Sequence, residues 1–219
     1  PNVIDPHGGL HDLANGSIAI LHSDSFTDDP TRMLRAVRYE QRLGFQIFET
    51  TMAGLKKSIN EGHVSAVSGD RWRQEFQKIF DEDRGSEMFS RAIEIGILPA
   101  IHPALSNDAG LAPLIGETGL SPCDYLAALV RDLSPVDGDA VSQRLNLPID
   151  WARMVRDTIA LKEITPTISK MAVKISAICR LLDGLDPESI ATSARFSQDA
   201  QLATKLRRYL DEWRLVRTA

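Results

Sequence analysis

Asp28-Asp29-Pro30-Thr31-Arg32-Met33-Leu34-Arg35-Ala36-Val37-Arg38-Tyr39-Glu40-Gln41-Arg42-Leu43 reads as one amphipathic helix with a defined start and stop. Asp can cap a helix, and Pro tolerates the first helical position because it needs no N–H there. Gly44 fits the stop. Arg32, Arg35, Arg38 and Arg42 recur at spacings of three and four. At about 100° per residue they share one face, with Met33, Leu34, Ala36, Val37 and Leu43 opposite. Only Glu40 is nearby as an internal counter-charge, so the face repels itself unless an anion or an acidic surface lies against it. A solvated helix face is the plain alternative. Asp28 and Asp29, one turn from Arg32, sharpen the case. A carboxylate beside a guanidinium can read the hydrogen-bonding edge of a nucleobase. The same residues also fit an N-terminal cap with an ion pair, and both readings stay open on chemistry alone.

Working outward, the pattern stays helical. Further helices are expected at Glu49–Asn60, from after Ser68-Gly69 to Asp81, at Ser86–Ile95, Asp124–Leu133, Asp137–Leu145, Ile149–Glu163, Lys170–Leu182, Pro187–Phe196 and Gln198–Val216. Leu98 to Pro122, rich in Pro, Gly, Asn and Asp, reads as a boundary or long connection. Residues 1–27 differ. Asp5-Pro6, Gly8-Gly9 and Asn15-Gly16 form turns between the short apolar stretches Val3-Ile4 and Ser17 to Leu21. They read as the last strands of a sheet whose remainder lies elsewhere, since two short strands are not stable alone. The expected fold class is mainly α, a helical array preceded by a short β remnant.

Composition narrows the function classes. The 219 residues are 43% hydrophobic and 25% charged, ordinary for a globular protein. Two distant cysteines, Cys123 and Cys179, exclude a disulfide scaffold and read as reduced thiols of a cytoplasmic protein. No uncharged apolar run is long enough for a membrane helix. A net charge of -5 excludes nucleic-acid binding by bulk charge, so any such site must be a local basic patch. The chain starts at Pro1, which with the orphaned strands suggests a piece of a longer protein.

Three segments, in order, resemble the class II tRNA nucleotidyltransferase/poly(A) polymerase family. Ile4-Asp5-Pro6-His7-Gly8-Gly9-Leu10-His11-Asp12-Leu13 is similar to the family's Asp-Pro-x-Gly-Gly-x-x-Asp-Leu motif. Asp28 to Tyr39 is similar to Glu-Asp-x-x-Arg running into Leu-Arg-Ala-x-Arg-Phe, with Asp28 where Glu is common. Ser68-Gly69-Asp70-Arg71-Trp72-Arg73-Gln74-Glu75-Phe76-Gln77-Lys78-Ile79 resembles the motif that ends the family's neck. The resemblance covers about residues 1–82, and implies a division into head end and junction (1–27), neck (28–97) and body (98–219). It assigns Asp29 and Arg32 to the base edge of the incoming nucleotide. It gives Arg35 and Arg38 to the pocket or to phosphate, and Asp5, Gly8, Gly9 and Asp12 to a head–neck hinge. Arg71 and Arg73 read as neck structure or as RNA backbone contacts.

The same resemblance implies CTP and ATP as substrates, Mg²⁺ in the parent enzyme, and tRNA or another RNA 3′ end as partner. In the family, metal-bound carboxylates of the head activate the RNA 3′-hydroxyl to attack the α-phosphate, releasing pyrophosphate. The Gly-Ser and Asp-x-Asp that bind that metal precede the first motif and are not in this sequence, so this chain alone is expected to be inactive. Gly16-Ser17 has no Asp-x-Asp after it, and Asp137-Gly138-Asp139 opens a helix far from any strand. His7 and His11 stand four apart, but Gly8-Gly9 argues against the helix that would pair them on a metal. Trp72 reads as core rather than a base-stacking platform. Lys205, Arg207, Arg208, Arg214 and Arg217 could follow an RNA backbone or face solvent. Two competing functions remain: a non-catalytic helical RNA-binding module, and a scaffold whose arginine stripe docks an acidic protein.

Overall fold

A computed structural model of the chain describes residues 4–170 and 174–217. It divides into two compact units, Pro1–Ser106 and Asn107–Ala219. The architecture is mainly α, with a single two-stranded parallel sheet among the described residues.

The first unit opens differently from the sequence expectation. Residues 9–15 form a helix, α1 (Gly9–Asn15), instead of a turn between strands. Asp5 is the cause: its two carboxylate oxygens accept the N–H groups of Gly9 (2.8 Å) and Leu10 (2.9 Å), donors that a helix start leaves unsatisfied. Gly8 takes the left-handed turn into the helix at φ 76°, a conformation that a side chain would strain. His11 is therefore helical and bonds Asn15, while His7 precedes the helix. Of the two expected strands, Ser17 to Leu21 shortens to β1 (Ser17–Ile18), and Val3 lies outside the described residues. The partner of β1 is β2, Gln46–Ile47, which sequence reading missed. The two strands bracket α2 (Ser25–Asp28) and α3 (Arg32–Leu43), and α3 stops at left-handed Gly44.

Beyond β2 follow α4 (Glu49–Asn60), α5 (Gly69–Phe80), α6 (Gly85–Glu94) and α7 (Ile97–Ile101). The core of this unit takes Met33, Leu34 and Val37 from α3, Trp72 and Phe76 from α5, and Phe89 from α6, all essentially inaccessible to water. Each such side chain contributes about 1.5–3 kcal/mol of burial. Phe76 and Phe89 meet edge to face, with ring centroids 5.2 Å apart. Trp72 is fully buried and its indole N–H finds no acceptor among the described residues, so no base can stack on it. Leu98, Ile101 and Leu105 are buried too, so a stretch that reads as connection belongs to the core of the first unit.

The second unit contains α8 (Pro122–Val130), α9 (Pro135–Arg144), α10 (Ile149–Ser169), α11 (Ile175–Leu182), α12 (Pro187–Phe196) and α13 (Ala200–Arg208). Their starts are chemically explicit. Ser121 and Asp124 form a reciprocal capping box on α8, and Ser134, Asp186 and Asp199 cap α9, α12 and α13.

The expectation that α10 ends near Glu163 was wrong: it continues through Pro166 to Ser169. Pro166 has no N–H for the carbonyl of Lys162, and the Thr165 hydroxyl donates to that carbonyl instead (2.8 Å). The Lys205 ammonium then donates to the carbonyls of Ile168 (2.7 Å), Ser169 (3.1 Å) and Lys170 (3.3 Å), closing the helix end. Lys205 is thus turned inward, and Arg208 pairs with Glu212 (3.0 Å), which thins the basic face expected on the last helix. That helix also breaks at Arg208 into a widened turn over Tyr209–Trp213, and the Arg217 side chain lies outside the described residues.

Ahead of α8 the backbone at Gly110 lies so close that a Cβ there would stand 2.0 Å from the Ala128 carbonyl oxygen. Backbone cannot swing aside as a side chain can, so Gly110→Ala should destabilise the protein by about 1–3 kcal/mol in urea unfolding. An unchanged midpoint would mean that this approach is not a constraint.

Candidate functional site

Asp29 sits in the extended link between α2 and α3 (φ −147°, ψ 93°). Its Oδ1 accepts from the Thr31 hydroxyl (2.6 Å), the Thr31 N–H (3.1 Å) and Arg71 Nη2 (2.8 Å). Its Oδ2 accepts nothing among the described residues. Burial would push the Asp29 carboxyl up. The hydrogen bonds from Thr31 and the charges of Arg71 and Arg32 outweigh it and hold the group below the ordinary carboxylate range. Asp29 is therefore a fixed, ionised acceptor with one oxygen open.

Arg32 stands beside it in the first turn of α3, exposed, with one long bond to the Ser25 carbonyl at 3.4 Å. Most of its five donors remain available. Asp28 turns to His22 instead (3.8 Å), which separates it from the Asp29 pair.

The arginine stripe divides along its length. Arg35 is exposed and donates to the Tyr39 hydroxyl (3.2 Å). That hydrogen bond, opposed by burial and joined by the charges of Arg35 and Arg38, lowers the Tyr39 pKa. Arg38 is 11% exposed and lies against Glu82 (3.3 Å) and Glu75 (3.8 Å). Arg42 Nε donates to Glu82 (2.9 Å). The guanidiniums of Arg35, Arg38 and Arg42 all stand over the Tyr39 ring, 5.4–5.7 Å from its centroid.

Glu40, the one acid within the stripe, points the other way. It is buried, accepts from Arg91 of α6 (2.9 and 3.2 Å) and from the Ile47 N–H (3.3 Å), and raises the Arg91 pKa. Two of the four stripe arginines thus form ion pairs with acids inside the unit, whereas Arg32 meets Asp29 only through its charge and Arg35 forms no ion pair among the described residues.

Arg71 reaches Asp29 across 42 residues of sequence, whereas Arg73 pairs within α5 with Asp70 (2.7 Å). Asp5, Gly8 and Gly9 come together as the start of α1, and Asp12 lies in its first turn. Asp5 is lowered in pKa by the N–H groups of Leu10 and Gly9.

Sequence reading missed Glu75 and Glu82 as partners of the stripe. The signal was present: Arg71, Glu75, Lys78 and Glu82 recur at spacings of four and three, a charged row to match that on α3.

No group of three or more His, Cys, Asp or Glu among the described residues is placed to hold a metal ion. Asp137 serves as a helix-start residue, accepting from the Ser134 hydroxyl (2.7 Å). These residues do not fit a Mg²⁺ site. No helix among the described residues is long and apolar enough to cross a membrane.

A depressed folded pKa gives Asp29 a stabilising contribution that is complete above about pH 4–5 and is lost as the pH falls through the folded value. In urea unfolding, the stability gap between the protein and Asp29→Asn should therefore narrow between roughly pH 5 and pH 3. A gap independent of pH would remove the Asp29 charge from this network.

Comparison with known proteins gives a consistent result. Residues 44–108 match the family described as the probable RNA and SrmB-binding site of polymerase A. An A-adding tRNA nucleotidyltransferase of Geobacter sulfurreducens is 38% identical over 103 residues, 47% of this chain and 12% of that protein. A solved CCA-adding enzyme in complex with ATP superposes with a TM-score of 0.78 at 26% identity, covering 95% of this chain and 54% of its own. The Thermotoga maritima CCA-adding enzyme complexed with tRNA superposes with a TM-score of 0.75 at 26% identity, covering 94% and 53%. The chain thus spans about half the length of these solved enzymes and a smaller part of the curated relative.

Proposed function

We propose that this chain is part of the neck and body of a tRNA nucleotidyltransferase/poly(A) polymerase, as its likeness to those enzymes supports, and that it chooses nucleotides and holds RNA for an enzyme that extends RNA 3′ ends without a template. One observation carries this reading: an ionised Asp29 with one oxygen fixed and one open, beside an Arg32 with free donors. An acceptor and a fork of donors side by side complement the edge of cytosine or adenine, which offer an amino donor next to a ring-nitrogen acceptor.

In this reading Arg71 and Thr31 position Asp29. Arg35 is the stripe guanidinium free to meet phosphate, and Arg38 supports the pocket by anchoring α3 to Glu75 and Glu82. Arg73 steadies α5, and the turn and helix from Asp5 to Asp12 act as the hinge toward a catalytic head. The carboxylates that bind Mg²⁺ and activate the 3′-hydroxyl are assigned to that head, outside this chain. The products would be tRNA extended by CMP and AMP, or by AMP alone, made in the cytoplasm. The neighbours in the comparisons include enzymes of both kinds. A protein-docking scaffold is disfavoured because half of the arginine stripe already meets acids of its own unit.

The test uses the chain joined to its nucleotidyltransferase head. Asp29→Ala and Arg32→Ala should each lower the preference for CTP and ATP over UTP and GTP by about 10–100-fold, the worth of a bidentate base contact, with folding retained. Unchanged selectivity in both variants would contradict the assignment. If the joined protein binds tRNA salt-dependently but incorporates no nucleotide, the non-catalytic RNA-binding module is the correct reading.

A further inference from the structure

The second unit encloses a cavity of about 200 Å³ that the reading above does not use. Three helices line it, each with one face. On α8 and the turn after it the residues are Asp124, Ala127, Ala128 and Arg131. On α10 they are Thr158, Leu161, Lys162 and Thr165, and on α12 they are Ser189, Thr192, Ser193 and Phe196. Every set has the spacing i, i+3, i+4, i+7, a straight stripe about 10 Å long at 1.5 Å per residue. Ala127 and Ala128 leave the space open at the centre, and Leu114, Leu161 and Leu202 make its walls apolar. Gly110, pressed on the Ala128 carbonyl, lines it as well.

The two ends of the cavity differ in chemistry. At the buried end every hydroxyl donates to the protein: Thr158 to the Met154 sulfur (3.3 Å), Ser189 to the Met154 carbonyl (3.3 Å) and Thr192 to Asp124 Oδ1 (2.9 Å). Only acceptor lone pairs are left to face a ligand. Asp124 is 4% exposed. Its Oδ2 takes the Ser121 N–H, the Ser121 hydroxyl and Arg195, while its Oδ1 takes Thr192 alone. This end therefore calls for a hydrogen-bond donor. The other end is cationic and exposed. Arg131 has no partner among the described residues, and Lys162, tied to Asp132, stands with it.

A donor at one end, an apolar body and an anion at the other describe one compact class of ligand. We propose that this cavity is a second nucleotide site, which takes a base bearing an exocyclic amine, with the amine toward Asp124 and Thr192 and the phosphate at Arg131 and Lys162. The cavity is smaller than most ligand sites, of the size of a base alone, so the sugar and phosphate lie at the mouth. The nucleotide can be free or can belong to an unstacked residue of RNA.

Cytidine and uridine monophosphate separate the idea, because the exocyclic amine of cytosine is replaced by a carbonyl in uracil, with the neighbouring ring nitrogen an acceptor in one and an N–H donor in the other. Methyl NMR of the whole chain should show CMP shifting the methyl signals of Ala127, Ala128 and Thr192. UMP, which sets an acceptor against acceptors, should bind about tenfold more weakly or not at all. Arg131→Ala, at an exposed residue without a partner, should weaken CMP about tenfold with the fold intact. The double substitution Asp29→Ala with Arg32→Ala should leave these three shifts in place, so this site and the site in the first unit fail separately. Displacement of CMP by tRNA lacking its 3′ end identifies the ligand as an RNA residue, and persistence of CMP identifies a free nucleotide. Absence of the three methyl shifts, or equal response to CMP and UMP, overturns the proposal.

Discussion

A helix that carries a row of like charges can pack into a protein only if something answers the row. In the first unit α3 is answered on two sides at once: Arg38 and Arg42 lie against Glu82, with Glu75 near Arg38, while Glu40 is buried against Arg91. Removing Arg91 would strand the buried Glu40 carboxylate in low dielectric, at a cost of about 3–5 kcal/mol. The pairs therefore act less as a source of net stability than as a register lock. They define which way α3 is rotated and which arginines are left over. The apolar side, Met33, Leu34 and Val37, supplies the burial, but apolar contact alone would tolerate several rotations.

With that rotation set, the beginning of α3 becomes the reactive part of the surface. The C-terminal half of the stripe is neutralised, and the N-terminal half, Arg32 and Arg35, is not. Asp29 completes the arrangement from the link before the helix, held on one oxygen by Thr31 and by Arg71 from α5. The helix that carries Glu75 and leads into Glu82 also carries the arginine that orients Asp29. The packing of α5 on α3 thus settles both the structural and the ligand-facing charges.

Much of this was legible in the residues. Gly44 and Gly96 mark element ends as read, and Glu49–Asn60 and Pro187–Phe196 have the expected bounds. The mainly α fold and the family resemblance were likewise readable, since both rest on local periodicity and ordered motifs. What failed was non-local or side-chain-specific. Gly8-Gly9 looked like a turn because the Asp5 carboxylate, which makes the helix start there, enters only through three-dimensional geometry. The helix read as Ile149–Glu163 runs on to Ser169 because the Thr165 hydroxyl and the Lys205 ammonium, which satisfy carbonyls at its end, meet it only in three dimensions. The strand Gln46–Ile47 is too short to announce itself without the partner it pairs with. Asp29 and Arg32 could be named from the motif, but the division of labour among the four arginines needed the acids on and just beyond α5.

That division can be watched directly. Arginine side-chain NMR of the chain, following each Nε–Hε signal during titration with CTP, reports which guanidiniums meet the nucleotide. The account predicts that Arg32 and Arg35 shift while Arg38 and Arg42 stay with their carboxylates. Movement of Arg38 and Arg42 with Arg32 unaffected would contradict it.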